Sequence, residues 1–259
     1  MSNSEPTSFL SVAPLYDTIM RDVPYKHWVR YLRRILHVRN LKPQSVLDLA
    51  CGTGSVSCIL AEDKLQVTGV DLSGAMIDVA RAKAEKKKLK IRFEVQDAAK
   101  LDLDNRYDLC ISFFDSLNYI TDRDQLAAAF HGVFQHLNPG GLFIFDVNTE
   151  YALENSFFDQ NNLDSKDRLR YIWRSEYDSA TRLCTVSMRF FYREKNGIDS
   201  EVRETHLQRA YDEVEIRMLL SDAGFVDIVT YNAYSLNQVS ERTDRMFVVA
   251  AKPQDLNLP

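Results

Sequence analysis

The stretch SVLDLACGTG (45–54) constrains the chain most. Val46, Leu47 and Leu49 form a strand around Asp48, and Gly52 and Gly54 then break it within a few residues. A strand that ends in a glycine loop and passes into a helix brings backbone N–H groups close to a ligand. The helix candidate follows directly, as SVSCILAE (55–62).

The same strand–helix alternation continues along the chain. QVTGVD (66–71) reads as a strand and SGAMIDVARAKAEKK (73–87) as a helix. IRFEVQD (91–97) and YDLCISFF (107–114) are strands, RDQLAAAFHGVFQHL (123–137) is a helix, and GLFIFDVN (141–148) is a strand. Such βα alternation predicts an α/β fold, a parallel sheet doubly wound with helices on both faces. Its ligand crevice lies at the strand C-termini. After Thr149 the pattern changes. RLRYIWRSEYDS (168–179), RLCTVSMRFFYRE (182–194) and SEVRETHLQRAY (200–211) alternate aromatic and β-branched residues with polar ones, and Asn196 and Gly197 supply a turn. They predict an inserted antiparallel β meander. A helix over 212–225 and two strands, VDIVTYNAY and RMFVVAAK, then complete a mostly parallel seven-stranded sheet.

Upstream, Trp28, Tyr31, Leu32, Ile35 and Leu36 mark an amphipathic N-terminal helix before Pro43. Four regions result: a helical cover (1–43), a core (44–149), the inserted β region (150–211) and the completion of the core (212–259). The 259 residues are 45% hydrophobic and carry a net charge of −5. That acidity argues against a broad nucleic-acid groove, and the run KKKLK (86–90) reads as the solvated end of a helix. No segment approaches a membrane span and no signal peptide is evident, so a cytoplasmic protein is expected. Cys51, Cys58, Cys110 and Cys184 lack zinc spacing, which predicts reduced thiols and no metal.

Two phosphate-binding classes use glycine loops. No G-K-[ST] follows here, which removes the P-loop. A dinucleotide fingerprint wants a third glycine where Ser57 stands, although Asp71 would suit a ribose acid. A ligand with a ribose and an amino-acid tail but no phosphate explains the same residues better.

VLDLACGTG resembles the first motif of class I S-adenosylmethionine (SAM)-dependent methyltransferases, which have a Rossmann-like fold. LCISFFDSLNYI, LNPGGLFIFDV and LLSDAGF are similar to later motifs of that family, in its order. More narrowly, APLYDTIMRDVPYKHWVRYL with FFDSLNYI resembles bacterial small-molecule methyltransferases, including sugar-amine N-methyltransferases of antibiotic pathways. Those sugar enzymes usually carry a histidine or similar polar group after strand four, where this chain has Tyr119.

The resemblance implies SAM as cofactor, S-adenosylhomocysteine as product, and a set of site residues. Asp71 grips the ribose hydroxyls, and Asp97, within Gln96-Asp97-Ala98, accepts from the adenine amine. Asp48, Ala50, Gly52, Gly54, Leu72, Met76, Phe113 and Phe114 complete the cofactor site, with Tyr16, Tyr25 and Trp28 covering it. Tyr16, Tyr25 and Trp28 can equally just pack the first helix, and Asp48 can simply brace the loop. A sulfonium methyl is already electrophilic, so the protein has to align and desolvate the nucleophile. Asp115, Tyr119 and Tyr16 are the catalytic candidates, and Asn118, Phe191, Tyr192 and His206 the substrate-binding ones. The expected acceptor is a small molecule. A tRNA or protein methyltransferase, or a non-catalytic SAM- or NAD-binding module, are the competing readings. The insertion's aromatic residues can alternatively form its own core or a homodimer interface.

Overall fold

The computed structural model describes residues 9, 11–165, 169–193 and 199–254. Strands β1 (Ser45–Leu49), β2 (Gln66–Asp71), β3 (Arg92–Val95), β4 (Tyr107–Ser112) and β5 (Leu137–Asn148) alternate with helices α3 (Ser55–Glu62), α4 (Gly74–Lys86) and α5 (Arg123–His136). The chain ends in α7 (Glu213–Asp222), β10 (Val226–Asn232) and β11 (Arg245–Ala251). The sheet order is β10-β11-β5-β4-β1-β2-β3, and β11 alone runs antiparallel to both its neighbours. This is a Rossmann-like arrangement. Side-chain caps start three of these helices. Ser73 Oγ accepts from Met76 N at the head of α4, Asp122 accepts from Asp124 N and Gln125 N before α5, and Asp212 accepts from Glu215 N before α7.

Both sheet faces are covered. Helices α5 and α7 bury Leu126, Phe130, Val133, Ile216 and Leu220 on one face. The other face takes α3 and the amphipathic α2 (Tyr25–Val38), which contributes Trp28, Val29, Tyr31, Leu32, Ile35 and Leu36. Each such side chain contributes about 1.5–3 kcal/mol of burial. Sequence patterning predicts one N-terminal helix, but two form. The first, α1 (Ala13–Ile19), is only two turns long and has too short a periodic run to register.

Between β5 and α7 lie a short helix α6 (Glu150–Glu154) and a separate antiparallel sheet, β6 (Gln160–Asn161), β7 (Leu169–Asp178), β8 (Leu183–Arg193) and β9 (Asp199–Arg209), in that order. The turn expected at Asn196-Gly197 lies outside the described residues. Pairing of Trp173 with Met188, and of Met188 with Glu204, fixes which residues share a face. Tyr171, Trp173, Val186, Met188, Phe190, Glu204, His206 and Gln208 therefore point the same way, toward α1 and the core sheet. Phe191 does not. Its parity puts it on the outer face, beneath the Arg189 guanidinium at 5.1 Å, which corrects its expected role in binding substrate.

Candidate functional site

Three successive strand ends, a post-strand loop, α1 and the inner face of the antiparallel sheet enclose one cavity of about 750 Å³. At the end of β1, Ala50, Gly52 and Gly54 all have positive φ (56°, 54° and 71°), which folds the loop tightly, with the Cys51, Gly52 and Gly54 amides donating to Val70 O, Asp71 and Cys51 O. A Cβ placed on Gly52 would meet nothing within 4 Å, so this glycine keeps the backbone open to a ligand. Gly54 does something else. It does not line the cavity, and a Cβ there would lie 2.7 Å from the Phe93 ring. Its role is the turn and close packing, a correction to its expected ligand contact.

Asp71, at the end of β2, accepts from Gly52 N (2.8 Å) and Ser73 N (2.9 Å), tying the first two strand ends together. Burial raises its pKa, and the bonds from Ser73, Gly52 and Leu72 oppose that rise. Asp48 is 3% exposed and accepts from Ser57 Oγ. Burial pushes its carboxyl up to about 7, with Ser57 opposing and Asp71 adding to the shift. Asp97, after β3, accepts from Ala99 N at 2.9 Å and caps a short 3-10 turn over Ala98–Lys100. Leu72, Met76, Ala98, Phe113 and Phe114 also line the cavity.

A cover closes over this end. Tyr16, Tyr25 and Trp28 line the cavity, and Trp28 packs on Phe114 with centroids 4.9 Å apart. Burial pushes the Tyr16 phenol well above its usual range, and burial and nearby Asp17 push Tyr25 up to about 12. Asp17 of α1 accepts from Thr53 Oγ1 and from Lys83 Nζ, each at 2.7 Å, latching the cover to the glycine loop. At its other end Glu204 accepts from Phe9 N (2.9 Å) and Val12 N (3.1 Å), clamping the cover to the antiparallel sheet. Sequence reading missed this clamp, because neither partner belongs to a motif.

The loop after β4 is strained. Phe114 and Asp115 are consecutive non-glycine residues at positive φ (71° and 49°), held by bonds from their amides to Asp146 (2.7 and 3.3 Å). Asp115 lines the cavity, and its carboxylate accepts from Arg245 Nη2 (2.9 Å) and Gln208 Nε2 (2.7 Å). Burial raises its pKa, and the Arg245 charge opposes that rise. Asn118 is fully buried with its amide spent on Asn148 O (3.1 Å), Arg209 O (2.9 Å) and Asn148 N (2.9 Å). It braces the loop and lies off the cavity, which corrects its expected contact with substrate.

Tyr119 lines the cavity, and burial raises its phenol well above the usual range. Its hydroxyl lies 3.4 Å from His206 Nδ1, while His206 Nε2 lies 2.7 Å from Glu204. A carboxylate only accepts, so Nε2 carries the proton and a neutral ring turns its Nδ1 lone pair to Tyr119. His206 itself is 1% exposed, covered by the Phe9 ring at 4.3 Å, and stands behind Tyr119 instead of on the cavity wall. Tyr192 shares the inner face by register but lies beyond the cavity, paired with Leu169 and Ser200. The cavity's aromatic wall is instead Tyr171, Trp173 and Phe190. No group of three His, Cys, Asp or Glu side chains suited to a metal occurs among the described residues.

Residues 46–141 match the family model described as a methyltransferase domain. A protein of Geobacillus sp. (strain WCH70), provisionally named a methyltransferase, is 30% identical over 95% of this chain and all of its own length. A SAM-dependent methyltransferase from Clostridium acetobutylicum ATCC 824 superposes with a TM-score of 0.81 at 32% identity, covering 94% of this chain and 98% of its own. The sugar N-methyltransferase of Streptoalloteichus sp. ATCC 53650 shares the fold, with a TM-score of 0.79 at 19% identity over 98% of both chains.

Proposed function

This chain belongs to the SAM-dependent methyltransferases, and from that premise we propose that it methylates a small molecule held beneath the antiparallel sheet. The observation that carries this reading is the continuity of the cavity. It runs from Gly52 and Asp71 past the loop at Asp115 to Trp173 and Phe190 on the underside of the inserted sheet, in one enclosure that suits a cofactor and a small acceptor together. Arg245 is the single cation among its described lining residues, and two aspartates already engage it. A phosphate backbone would find little there to neutralise it.

The residues present fit the cofactor. Gly52 leaves room for a close approach, Asp71 offers a carboxylate for two ribose hydroxyls, and Asp97 offers one for the adenine amine. Met76, Leu72 and Ala98 supply apolar contact for the base, and Asp48 sits behind the loop. When bound, SAM supplies an electrophilic methyl on sulfur. The protein's part is to align the acceptor, exclude water and receive its proton. Tyr16, Tyr25 and Trp28 provide the exclusion. The proton has a path from Tyr119 to His206 Nδ1, with Glu204 stabilising the imidazolium that forms. The Asp115 carboxylate, tied to Arg245 and Gln208, fixes the strained loop beside the acceptor.

Calorimetric titration with SAM, S-adenosylhomocysteine and NAD tests the cofactor half of this reading. Asp71→Asn should weaken binding of both sulfur ligands by about 10- to 100-fold, the worth of charge-assisted bonds to two hydroxyls. Binding of NAD but of neither sulfur ligand would refute it.

A further inference from the structure

Trp173 lies in the middle of β7 on the inner face of the antiparallel sheet, 8% exposed and lining the cavity. Its ring packs against Tyr171 and Phe190, with centroids 5.6 and 6.2 Å away, and it pairs across the strands with Met188. Yet its Nε1 has no hydrogen-bond partner among the described residues. A buried indole N–H without an acceptor is unfavourable, and native interiors seldom leave one so. Its packing neighbours in the apolar cluster are Ile19, Met20, Leu153, Phe158, Met188 and Phe190, while Gln160, its partner across the strands, lines the cavity without bonding Nε1. The Ser175 hydroxyl, two residues along β7, donates to Asp159 at 2.6 Å and makes no bond to Nε1.

The charge toward the core side of this pocket is set by Asp115, Asp146 and Glu204 against the guanidinium of Arg245. Three carboxylates face one guanidinium and the His206 ring, so acids outnumber cations whichever charge the ring carries, in a region of low dielectric. An anionic ligand entering here would be repelled and would lose its hydration.

We infer that Trp173 anchors an acceptor subsite for an uncharged small molecule with a flat apolar body and one oxygen, hydroxyl, ether or carbonyl, that accepts from Nε1. The inference rests on the functional reading above and narrows its substrate class. The apolar body lies against Met188 and Phe190, and its oxygen meets the N–H that the protein leaves unpaired. Carboxylates and phosphates of the same shape are excluded by the acids beside Arg245.

Two probes sharing one ring system test it: 1-naphthol, neutral at pH 7, and 1-naphthoate, an anion. Each is titrated calorimetrically into the full chain with and without saturating S-adenosylhomocysteine. The wild type should bind 1-naphthol at least about tenfold more tightly than 1-naphthoate. Trp173→Phe keeps the ring and loses only the N–H, so it should weaken 1-naphthol by about five- to fifteenfold, the value of one hydrogen bond. Met188→Trp fills the same space and should abolish 1-naphthol binding. Both variants should bind S-adenosylhomocysteine within twofold of wild type, which shows that they are folded. Absence of 1-naphthol binding to the wild type, equal or tighter binding of 1-naphthoate, or an unchanged Trp173→Phe affinity would overturn the inference. Failure of the wild type to bind S-adenosylhomocysteine would instead strike the cofactor reading, and the titrations without it still judge the subsite.

Discussion

Arg245 Nη2 donates to Asp115 Oδ1 at 2.9 Å, joining residues 130 positions apart in sequence. The same guanidinium also donates to Asp146 and lies over the Phe114 and Phe158 rings. One cation on the last strand thus pairs with two buried carboxylates, and Asp146 in turn holds the amides of the left-handed Phe114 and Asp115. Burial would lower the Arg245 pKa, but Asp146 and Asp115 more than reverse that. Arg245→Met leaves both acids unpaired, so unfolding in urea should show a loss of about 3–5 kcal/mol. Adding Asp146→Asn should recover part of it. A stability equal to wild type in Arg245→Met would mean that the pair contributes nothing to the fold.

The clamp at Glu204 gives a second expectation. Its two oxygens each accept from a backbone N–H of the N-terminal cover. Glu204→Gln keeps one acceptor and turns an amide N–H₂ toward the other donor. The cover should open more often, and limited trypsin digestion at Lys26 should speed up about three- to tenfold, as expected for about 1 kcal/mol of opening free energy. S-adenosylhomocysteine should dissociate faster in stopped-flow measurements. Unaltered digestion would show that the cover is held by its apolar contacts alone.

Asp48 makes stability depend on pH in an unusual direction for a carboxylate. Its folded pKa of about 7 lies above the ordinary value of 3.8, with burial as the main cause. Between these values the folded state binds a proton that the unfolded state has released. Its contribution is therefore fully present below about pH 4 and is lost as pH rises through 7. Burial raises Asp71 and Asp115 in the same sense. Asp48→Asn should flatten this slope and raise stability at pH 8 relative to wild type, by up to about 4 kcal/mol. Chemical denaturation at pH 5, 6, 7 and 8 reads it directly, and parallel wild-type and variant curves would refute it.

Gly54 tests the glycine loop as a packing device. Gly54→Ala must adopt φ of 71° and meets the Phe93 ring at 2.7 Å and the Ala80 methyl at 3.1 Å. The left-handed conformation alone costs about 1–2 kcal/mol, and the ring has to move as well. A lowered thermal midpoint of several degrees is expected. Gly52→Ala, with no atom within 4 Å of the new methyl, should cost less stability and more cofactor affinity. Equal effects in both assays for the two variants would erase the distinction between the two glycines.

Much of the scaffold was legible because it is locally encoded. Continuous apolar runs such as Leu142–Phe145 mark buried strands, Ser73, Asp122 and Asp212 mark helix starts, and the step from strand to glycines marks the β1–α3 loop. Asp71, Asp97, Phe113 and Phe114, which line the cavity, were named through the resemblance to the family's motifs, and their place at strand C-termini is where such a fold opens its crevice.

The acceptor end was not. Asp115 could be named from its motif, but its partners Arg245 and Gln208 stand 130 and 93 residues away. Phe191 and Phe190 are neighbours with the same β-propensity, and only the cross-strand register decided that Phe190 faces the cavity and Phe191 solvent. Asn118 carried the composition of a binding residue, yet the backbone groups of Asn148 and Arg209 claimed its amide. The unpaired N–H of Trp173 was invisible for the same reason, because a hydrogen bond left unmade is a property of everything packed around it. The sequence by itself determined the elements, their order and the cofactor-side strand ends, through short-range sterics, periodicity and capping. Register, burial and long-range charge pairing decided the acceptor pocket, because each depends on the joint placement of segments that only the folded chain brings together.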